Sequence, residues 1–321
     1  MTRQYLRSLS LQVRGLSVAY DLSQLHVEFQ INNAIVGTPK WGTVRIWNLG
    51  ADKATQIIHE FTGVDIAVGW QDIDEQTIIS GQIAQVAYGR ENAVDTYLDL
   101  LVQDADRALL WGVLNKSLPK GYTDEQVLKL ILAAWNVGDQ PVTLGSKPDL
   151  SQPTYPDGFA FSGTAFEAME QLAHRHDCNW FVEDGQLYIV PRDGVLAGGD
   201  APILTAESGL LGTPVLTYQG IQGRCLMNPQ LRVGRTIRLR NSDITQLALR
   251  QPVLGITDPG AVVPTINNPI DTYGTYKVLA VTHAGDSRGN QWETRFVCID
   301  VDSSVPNSGP GLVSVPSGGA L

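Results

Sequence analysis

The residues best suited to bind a metal ion lie together in one short segment. His174, His176 and Cys178 fall within a few consecutive positions, and imidazole and thiolate are common ligands of zinc. The pattern around them predicts a helix, on which side chains two positions apart point about 200° away from each other. The two histidines therefore cannot share an ion. We expect one solvated and one packed histidine at a helix end, where the helix dipole favours a cation.

Acidic residues form a second candidate site. Asp72, Asp74 and Glu75 resemble the start of a calcium-binding loop. The glycine turn and the distal glutamate of an EF-hand loop do not follow them. We therefore predict a solvated turn between two strands at this position.

Two pairs of carboxylates have the residue types that hydrolyse glycosides: Glu167 with Glu170, and Glu183 with Asp184. Glycoside hydrolysis requires two carboxylates at a fixed distance across a cleft. Spacing along the chain does not establish such a distance. We expect these four side chains to lie on a helix surface and in a turn.

Cysteine usage and sequence motifs argue against other kinds of active site. Cys178, Cys225 and Cys298 are widely spaced and form no CxxC pair. We expect buried thiols in a protein that folds in a reducing cytoplasm. The HExxH, GxGxxG and Walker A motifs are also missing from the sequence. The sequence thus predicts no catalytic residue, no cofactor-binding residue, no cofactor and no metal ligand.

The tryptophans are scattered along the chain. A carbohydrate-binding platform requires two or three tryptophans exposed on one face. Trp135 lies on an apolar helix stripe and Trp180 begins a predicted strand, so we expect both to pack in a core or an interface.

Composition limits the class of protein. The chain has 321 residues, of which 43% are hydrophobic and only 17% are charged, against roughly 25% charged in an average globular protein. We expect two or three domains and a low-charge surface that lies against another subunit. The formal net charge is −10, and the absence of a basic tract argues against nucleic-acid binding through phosphates. No secretion signal or apolar run of roughly 20 residues occurs, which predicts a soluble protein without a membrane span.

Residues 1–105, here called the first β-module, alternate between apolar and polar residues at period two, as half-buried strands do. A short helix is predicted over Ala51–Phe61, with Ile57, Ile58 and Phe61 on its buried edge and Gly63 as its stop. Strands at Val64–Trp70, Gln76–Tyr88 and Asp95–Gln103 complete what we expect to be a small barrel.

Residues 106–200, here called the insert, show helical periodicity. Capping boxes at Thr123 with Gln126, and at Thr164 with Glu167, predict helices over Asp124–Trp135 and 165–177. The first helix is expected to end at Gly138, and a loop rich in proline and glycine to run from there to Gly163. An Asp-Gly pair at 184–185 between apolar runs predicts a hairpin of Asn179–Glu183 and Gln186–Val190.

Residues 201–303, here called the second β-module, return to the strand pattern. The long loop Gln251–Thr272 is expected to be functional or interfacial, and residues 304–321 to form a mobile tail. Strands are predicted at Gly212–Gln219, Arg224–Leu226, Gly234–Arg240, Tyr276–His283 and Gln291–Asp300.

Residues 83–104 and 278–300 read as two copies of one hairpin, with one extra residue in the second copy. A short run containing glycine precedes each, Gly63–Val68 and Gly234–Leu239. A chain that repeats a β-module predicts two similar barrels and a ring in which each subunit fills two equivalent places. The expected fold is therefore mainly β, with two barrels related by internal duplication and a peripheral α/β insert. The aligned pairs are Val86 with Val281, Gly89 with Gly285, Arg90 with Arg288, Asn92 with Asn290, Thr96 with Thr294, Val102 with Val297 or Ile299, and Asp104 with Asp300.

Two runs, Leu210–Leu239 and Gly274–Ile299, resemble baseplate hub proteins of contractile-tailed bacteriophages. Members of that family share five short motifs that occur in a fixed order. These are a turn with the sequence Gly-Thr-Pro and then, in one-letter code, LMNP or LLNP, VG before a strand, YKV, and last HxGDxRGxxWxT. Asn48-Leu49 after a strand also resembles the family's first module. The corresponding residues here are Gly212–Pro214, Leu226–Pro229, Val233-Gly234, Tyr276–Val278 and His283–Thr294.

The resemblance implies a fold of two tube-like β-barrel domains plus a peripheral domain, assembled as a homotrimer. Such a trimer forms a pseudo-sixfold ring that joins a hexameric tail tube to a trimeric central spike. The implied partners are the tail tube protein, the central spike protein, the tape-measure protein and other baseplate (wedge) proteins, with DNA only in transit. The resemblance also implies that the protein is made in the host cytoplasm and is located in the tail baseplate of the virion. The resemblance carries over no catalytic residue.

Three chains of net charge −10 carry about −30 together. If part of that charge lines the central channel of the ring, we expect DNA to slide through the channel and not to bind to its wall.

Three alternative functions stay open: a tail-associated hydrolase of cell wall or glycan, a carbohydrate-binding baseplate component, and the hub of a secretion or contractile-injection system.

Overall fold

The structure is a computed structural model that describes residues 6–15, 18–71, 73–136, 141–151, 155–198, 201–217, 219–246 and 273–301. Three predicted features lie outside these residues: the helix stop at Gly138, the loop Gln251–Thr272 and the tail 304–321. No helix within the described ranges is long and apolar enough to cross a membrane.

The described residues of the first β-module form seven strands and one helix. They are β1 (Arg7–Gly15), β2 (Ala19–Asp21), β3 (Val27–Ala34), β4 (Trp41–Trp47), α1 (Ala51–Glu60), β5 (Phe61–Trp70), β6 (Ile73–Arg90) and β7 (Thr96–Gln103). Neighbouring strands lie antiparallel in the order β3-β4-β7-β6-β5-β1-β2. Along β3 every second side chain is buried, as predicted from the period-two pattern.

The predicted end of helix α1 and its buried edge are corrected. Phe61 begins strand β5 rather than ending the helix, and only Ala54 and Ile57 of the helix are buried. Ile58 is 42% exposed, because it points about 100° around the helix from Ile57 and cannot face the same core. The helix stops where Phe61 turns into the β-module core, two residues before Gly63.

Within its described residues the insert forms three helices and five strands. They are α2 (Asp106–Trp111), β8 (Val113–Leu118), α3 (Asp124–Ala134), β9 (Thr143–Ser146), β10 (Phe159–Thr164), α4 (Ala165–Arg175), β11 (Cys178–Glu183) and β12 (Gln186–Pro191). Both predicted capping boxes are present. The predicted hairpin is also present, and Asp184 and Gly185 both have the positive φ angles of its turn.

The expectation of a loop from Gly138 to Gly163 is wrong, because β9 and part of β10 lie within it. The pairings are non-local: β9 lies parallel to β12, and β10 lies antiparallel to β8. All four residues of β9 are exposed, so the strand has no alternating pattern to find in the sequence. Helix α2 and strand β8 were not predicted either.

The second β-module supplies the remaining strands. They are β13 (Ile203–Leu204), β14 (Leu210–Thr217), β15 (Gly220–Leu226), β16 (Thr236–Arg240), β17 (Thr245–Gln246), β18 (Tyr273–Asp286) and β19 (Trp292–Asp300). Short 3₁₀ turns occupy Ala206–Ser208 and Asn241–Asp243. The order β14-β15-β19-β18 continues through β16 to β13.

The protein is thus mainly β, with one large and mostly antiparallel sheet. Strands of both β-modules belong to this single fourteen-stranded sheet, because β18 pairs with β3. Three clusters of buried side chains lie beside the sheet. One is centred on β1 and β3–β7, one on the helices of the insert, and one on β14–β19.

Candidate functional site

The joint between the two β-modules is an antiparallel ladder inside one chain. Seven residue pairs connect β3 to β18, from Glu28 opposite Asp286 to Ala34 opposite Ala280. Trp70 reinforces the joint by donating from Nε1 to the carbonyl of Met227 at 3.0 Å. The backbone therefore binds the two modules edge to edge as one sheet.

The hairpins β6–β7 and β18–β19 have the same register. In the first, six pairs run from Arg90–Thr96 to Gln85–Leu101, after which Ala84 is bulged. In the second, six pairs run from Gly285–Trp292 to Ala280–Val297, after which Leu279 is bulged. An extra residue inserted in the same place on both first strands is a specific backbone feature. The paired strands of the two hairpins therefore correspond residue by residue.

This correspondence confirms part of the predicted alignment and corrects the rest. Val86 does lie at the position of Val281, and Asp104 at that of Asp300. Gly89 corresponds to Ala284, Thr96 to Trp292 and Val102 to Cys298, while Arg90 ends a strand and Arg288 lies in a turn. The extra residue of the second copy belongs in its turn, and matching residue types across the turn shifted the alignment by one to three positions. In the two runs that precede the hairpins, Gly63 has the position of Thr236, so the two glycines, Gly63 and Gly234, are not equivalent.

The neighbouring strands match as well. β4 lies beside β7 with Arg45 opposite Asp99, and β15 lies beside β19 with Arg224 at the position of Arg45. β5 and β16 flank β6 and β18 in turn. The modules differ at the periphery, where β1 runs antiparallel to β5 but β13 runs parallel to β16.

Parts of two strand edges, one on β6 and one on β14, carry little or no pairing within the described parts of the chain. Past Gln82, the edge of β6 that faces β5 meets no strand among the described residues, although β7 stays paired on the other side up to Arg90. Among the residues that the structure describes, the outer edge of β14 pairs only with the two-residue strand β17. Unpaired strand edges are templates for pairing with another chain.

The face of the sheet opposite the module cores runs across both β-modules and carries many polar side chains. It bears Gln30, Thr43, Gln85 and Gln222, all on rows of directly opposed residues. The arginines of its central strands are paired with carboxylates. Arg45 lies 2.7 Å from Asp99, and Arg224 and Arg295 lie 3.7 and 2.7 Å from Glu293. Paired cations are poor sites for phosphates, because their charge is already compensated.

A groove of about 570 Å³ lies on this face of the second β-module. Its walls come from β14, β15, β18, β19 and the end of β3, with Leu279 and Val297 apolar and Arg224 and Arg295 at its polar side. The groove lies beside the sparsely paired edge of β14.

An ionic cluster connects the insert to both β-modules. The Lys40 ammonium lies 3.3 Å from Glu183 Oε1 and 3.0 Å from Asp184 Oδ1, and Arg232 lies 3.1 Å from Asp184 Oδ2. Asp104 accepts hydrogen bonds from the Gly185 amide at 3.1 and 3.2 Å. The turn of the insert hairpin is thus bound by Lys40 and Asp104 of the first β-module and by Arg232 of the second.

Burial changes the titration of this cluster. The pKa of Asp104 is raised to about 7, first by burial and then by the negative charge of Asp184, against the opposing effect of Lys40. The pKa of His283, at the inter-module ladder, is lowered to about 3 by burial and by the charges of Lys40 and Arg232. His283 is therefore neutral at physiological pH, with Nδ1 2.9 Å from the Thr294 hydroxyl.

The predicted metal-capable segment is not assembled as a metal site. His174 is exposed, whereas the His176 Nε2 lies 2.8 Å from Asp124 Oδ2 and Cys178 is buried. This arrangement is the predicted one solvated and one packed histidine at the end of α4. No cluster of three metal-capable side chains occurs within the described parts of the chain.

The remaining acidic candidates have structural contacts. Glu167 caps α4, and Glu170 accepts a hydrogen bond from Trp180 Nε1 at 2.8 Å. Glu183 belongs to the buried ionic cluster, although we expected it in a turn. Of the calcium-loop candidates, Asp72 lies outside the described residues and Glu75 accepts a hydrogen bond from Ser8.

The cysteines and the tryptophans behave largely as predicted. All three cysteines are buried, and burial raises the pKa of each thiol, for Cys225 to about 12. Trp135 and Trp180 are buried and stack on each other. All seven tryptophans are described, and only Trp111 is mostly exposed.

One motif was missed in the sequence. Gly285–Gly289 reads GDSRG and fits the GxSxG pattern of serine hydrolases, which requires a strand-to-helix elbow. Here the segment is the turn between two antiparallel strands. The Ser287 hydroxyl accepts a hydrogen bond from the Val27 amide at 2.9 Å and donates to the Leu25 carbonyl at 3.3 Å. The serine therefore fastens the turn to the strand β3.

Comparisons with known proteins place these features in context. The model of the family described as baseplate hub gp41 matches residues 42–246, more than half of the chain. No match is found among curated proteins.

Solved structures share the fold at low sequence identity. A tail protein from Neisseria meningitidis has a TM-score of 0.57 at 10% identity, covering 92% of this chain and 96% of its own. A 43 kDa tail protein of prophage MuSo2 from Shewanella oneidensis has a TM-score of 0.56 at 8% identity, covering 92% and 97%. The E. coli c3393 protein, a type VI secretion component, has a TM-score of 0.55 at 12% identity, covering 90% and 76%.

Proposed function

This chain belongs to the baseplate hub gp41 family and has a structural role in a phage tail baseplate; we propose that it is the ring-forming hub of that baseplate. Three copies, each with two β-modules, form a pseudo-sixfold ring. The ring joins the hexameric tail tube to the trimeric central spike and leaves a channel for DNA and the tape-measure protein. The protein is a virion component that contacts the other baseplate proteins and does no enzymatic chemistry.

The observation that carries this proposal is the correspondence between the two β-modules. The strand quartets β3-β4-β7-β6 and β14-β15-β19-β18 have the same order, and their hairpins share a register with a bulge in the same place. A chain whose two halves match can occupy two neighbouring positions of a six-part ring. The edge-to-edge ladder of β3 and β18 provides the spacing between those positions.

The three buried clusters support a division into domains. We propose a first barrel domain at 1–105, the peripheral insert at 106–200, a second barrel domain at 201–303 and a tail at 304–321. Each cluster draws most of its side chains from one of the first three segments. A few residues cross the boundaries, notably Trp292 and Met227 in the first cluster and Phe181 in the third.

The polar face of the sheet suits a channel wall. It combines neutral amides and hydroxyls with arginines that are already paired to carboxylates. We assign DNA passage to this compensated surface and not to a strongly acidic wall. DNA in transit meets few uncompensated cations, which limits its retention.

Electron microscopy of the purified full chain, alone and mixed with the candidate spike protein, tests the proposal. We expect class averages with a threefold ring of six similar lobes around an open lumen. Monomers in both samples would refute the ring. Halo formation on host cell walls, or binding on a glycan array, would instead support the hydrolase or the carbohydrate-binding alternative.

A further inference from the structure

Strand β18 has a pairing partner along an edge where the corresponding strand β6 has none among the described residues. One edge of β18 pairs with β16 over Tyr273–Lys277 and then with β3 over Ala280–Asp286. The corresponding edge of β6 pairs with β5 up to Gln82 and then, from Ala84 to Arg90, meets no described strand. The counterpart of β3 is therefore missing from this edge.

The counterpart of β3 within the chain is β14. Opposite β4, Val27 pairs with Ile46 and Ile31 with Gly42. Opposite β15, Leu210 pairs with Cys225 and Leu216 with Ile221. Since β4 and β15 correspond, Leu216 has the position of Ile31, and residues 212–214 form a bulge in the region of Phe29. The strand that would complete the edge of β6 thus exists in every copy, but at the far end of the sheet.

We propose that β6 of one copy pairs antiparallel with β14 of a second copy, in the register of the β3–β18 ladder. That register places Ala87 opposite Thr217 of the second copy, as Thr282 lies opposite Asn32 within one chain. It likewise places Tyr88 opposite Leu216 and Gly89 opposite Val215. The inference rests on the proposed ring and specifies the strand contact that closes it.

Differences in exposure between equivalent positions point to the missing partner. Tyr88 is 48% exposed, whereas its counterpart His283 is 6% exposed beneath the ladder with β3. Ala84 is exposed, whereas its counterpart Leu279 is buried. These side chains of the first β-module lack the cover that the same positions have in the second.

The turn that follows β6 shows the same asymmetry. The turn of the second hairpin is bound to β3 and its preceding loop, since the Ser287 amide donates to the Val27 carbonyl at 2.8 Å and Arg288 donates to the Gln24 carbonyl at 3.1 Å. The first hairpin's turn, by contrast, exposes 83% of Val94. In the proposed register this turn lies against the start of β14 of the second copy and the segment before it, around 206–210.

Strand β17 occupies part of the receiving edge in the single chain. It pairs with β14 only at Val215 and Leu216, in parallel. In the proposed contact, β6 of the other copy takes the place of β17 and forms a longer antiparallel ladder with β14. The β3–β18 ladder shows that a ladder of this geometry fits into the sheet. Assembly thus exchanges a short intrachain pair for an interchain one.

A cysteine pair tests the register. The variants Ala87→Cys and Thr217→Cys, made in separate full-length chains and mixed before oxidation, should give an intermolecular disulfide on a non-reducing gel, because opposed strand residues meet the distance that a disulfide requires. Thr217→Cys should react less with Gln85→Cys, which lies on the same face but two residues out of register. Cross-linking that favours Gln85→Cys, or no cross-linking in a sample shown to be trimeric, would overturn the register.

A second variant and a mass measurement separate this inference from the ring itself. Tyr88→Asp should lose the trimer peak in mass photometry, while Val113→Asp, at a site 59% exposed on the insert, should retain it. A trimer that persists in Tyr88→Asp would contradict the proposed contact but leave the ring intact. Absence of a trimer in the unmodified protein, both alone and mixed with the candidate spike protein, would refute the proposed function instead.

Discussion

Lys40 and Glu183, distant in sequence, form a buried ion pair with an Nζ–Oε1 distance of 3.3 Å and side chains only 3% and 8% exposed. The pair binds the loop before β4 to the end of β11. Asn33 also donates to Glu183 Oε1, at 3.3 Å. The orientation of the insert on the first β-module thus depends on the buried ion pair of Lys40 and Glu183.

Replacing Lys40 with methionine should destabilise the protein by about 3–5 kcal/mol, because the buried Glu183 loses its nearest cation. The half-buried Asp184 keeps only Arg232 as a cationic partner. Urea unfolding followed by tryptophan fluorescence measures the change. The matched control is Lys129→Met on the exposed face of α3, for which we expect a change within about 0.5 kcal/mol. Equal effects of the two variants would show that the cluster does not contribute to stability.

Asp104 should make stability depend on pH. Its pKa is about 7 in the folded chain against 3.8 ordinarily, so between these values the folded state binds more protons than the unfolded state. Its contribution to stability is therefore present at low pH and falls as pH rises toward 7. Asp104→Asn removes this titration and keeps an acceptor for the Gly185 amide.

We expect Asp104→Asn to gain stability relative to the wild type between pH 5 and pH 8, as measured by urea midpoints at both values. Asp157→Asn, at an exposed position, serves as the control and should show a smaller change. Parallel pH profiles of wild type and Asp104→Asn would contradict the raised pKa of Asp104.

Tyr155→Phe should destabilise the insert. The Tyr155 hydroxyl donates to Asp124 Oδ1 at 2.5 Å, and the Asp124 side chain is fully buried. The variant leaves this carboxylate short of one donor, at a cost of about 1–3 kcal/mol. Tyr188→Phe removes an exposed bond to Gln186 and should cost less. Thermal unfolding compares the two, and a larger effect at Tyr188 would contradict the prediction.

Local signals made parts of the fold predictable from sequence. The capping boxes at Thr123 and Thr164 and the Asp-Gly turn at 184–185 each depend on residues within four positions of one another, and each is present. The period-two pattern located most strands. By contrast, strand β9 depends on pairing with a partner about forty residues away, which no local pattern encodes.

The candidate site was less predictable for the same reason. Residue types suggested a repeated hairpin, but its register depends on where a bulge and a turn insertion fall. The ionic cluster joins Lys40, Asp104, Glu183 and Arg232, none of which is distinctive in its own segment. Only the folded chain shows that the turn at Asp184 meets both β-modules.

The polar face of the sheet yields a last prediction, which rests on the proposed ring. If this face lines the channel, Glu293 compensates both Arg224 and Arg295, and Glu293→Gln exposes two uncompensated cations per chain to the lumen. Arginines without carboxylate partners attract phosphates in a salt-dependent way. The assembled wild-type ring should therefore not retain DNA at low salt, while Glu293→Gln should retain it and release it as salt rises.

An electrophoretic mobility assay with short duplex DNA at two salt concentrations measures this difference. The matched control is Glu125→Gln, which changes the net charge equally but separates an ion pair on the insert, where Lys147 lies 3.3 Å from Glu125. Because that site lies away from the continuous sheet face, the control should behave as the wild type does. Retention by wild type and both variants alike would place DNA on another surface, and retention by Glu125→Gln alone would assign the channel to a different face of the ring.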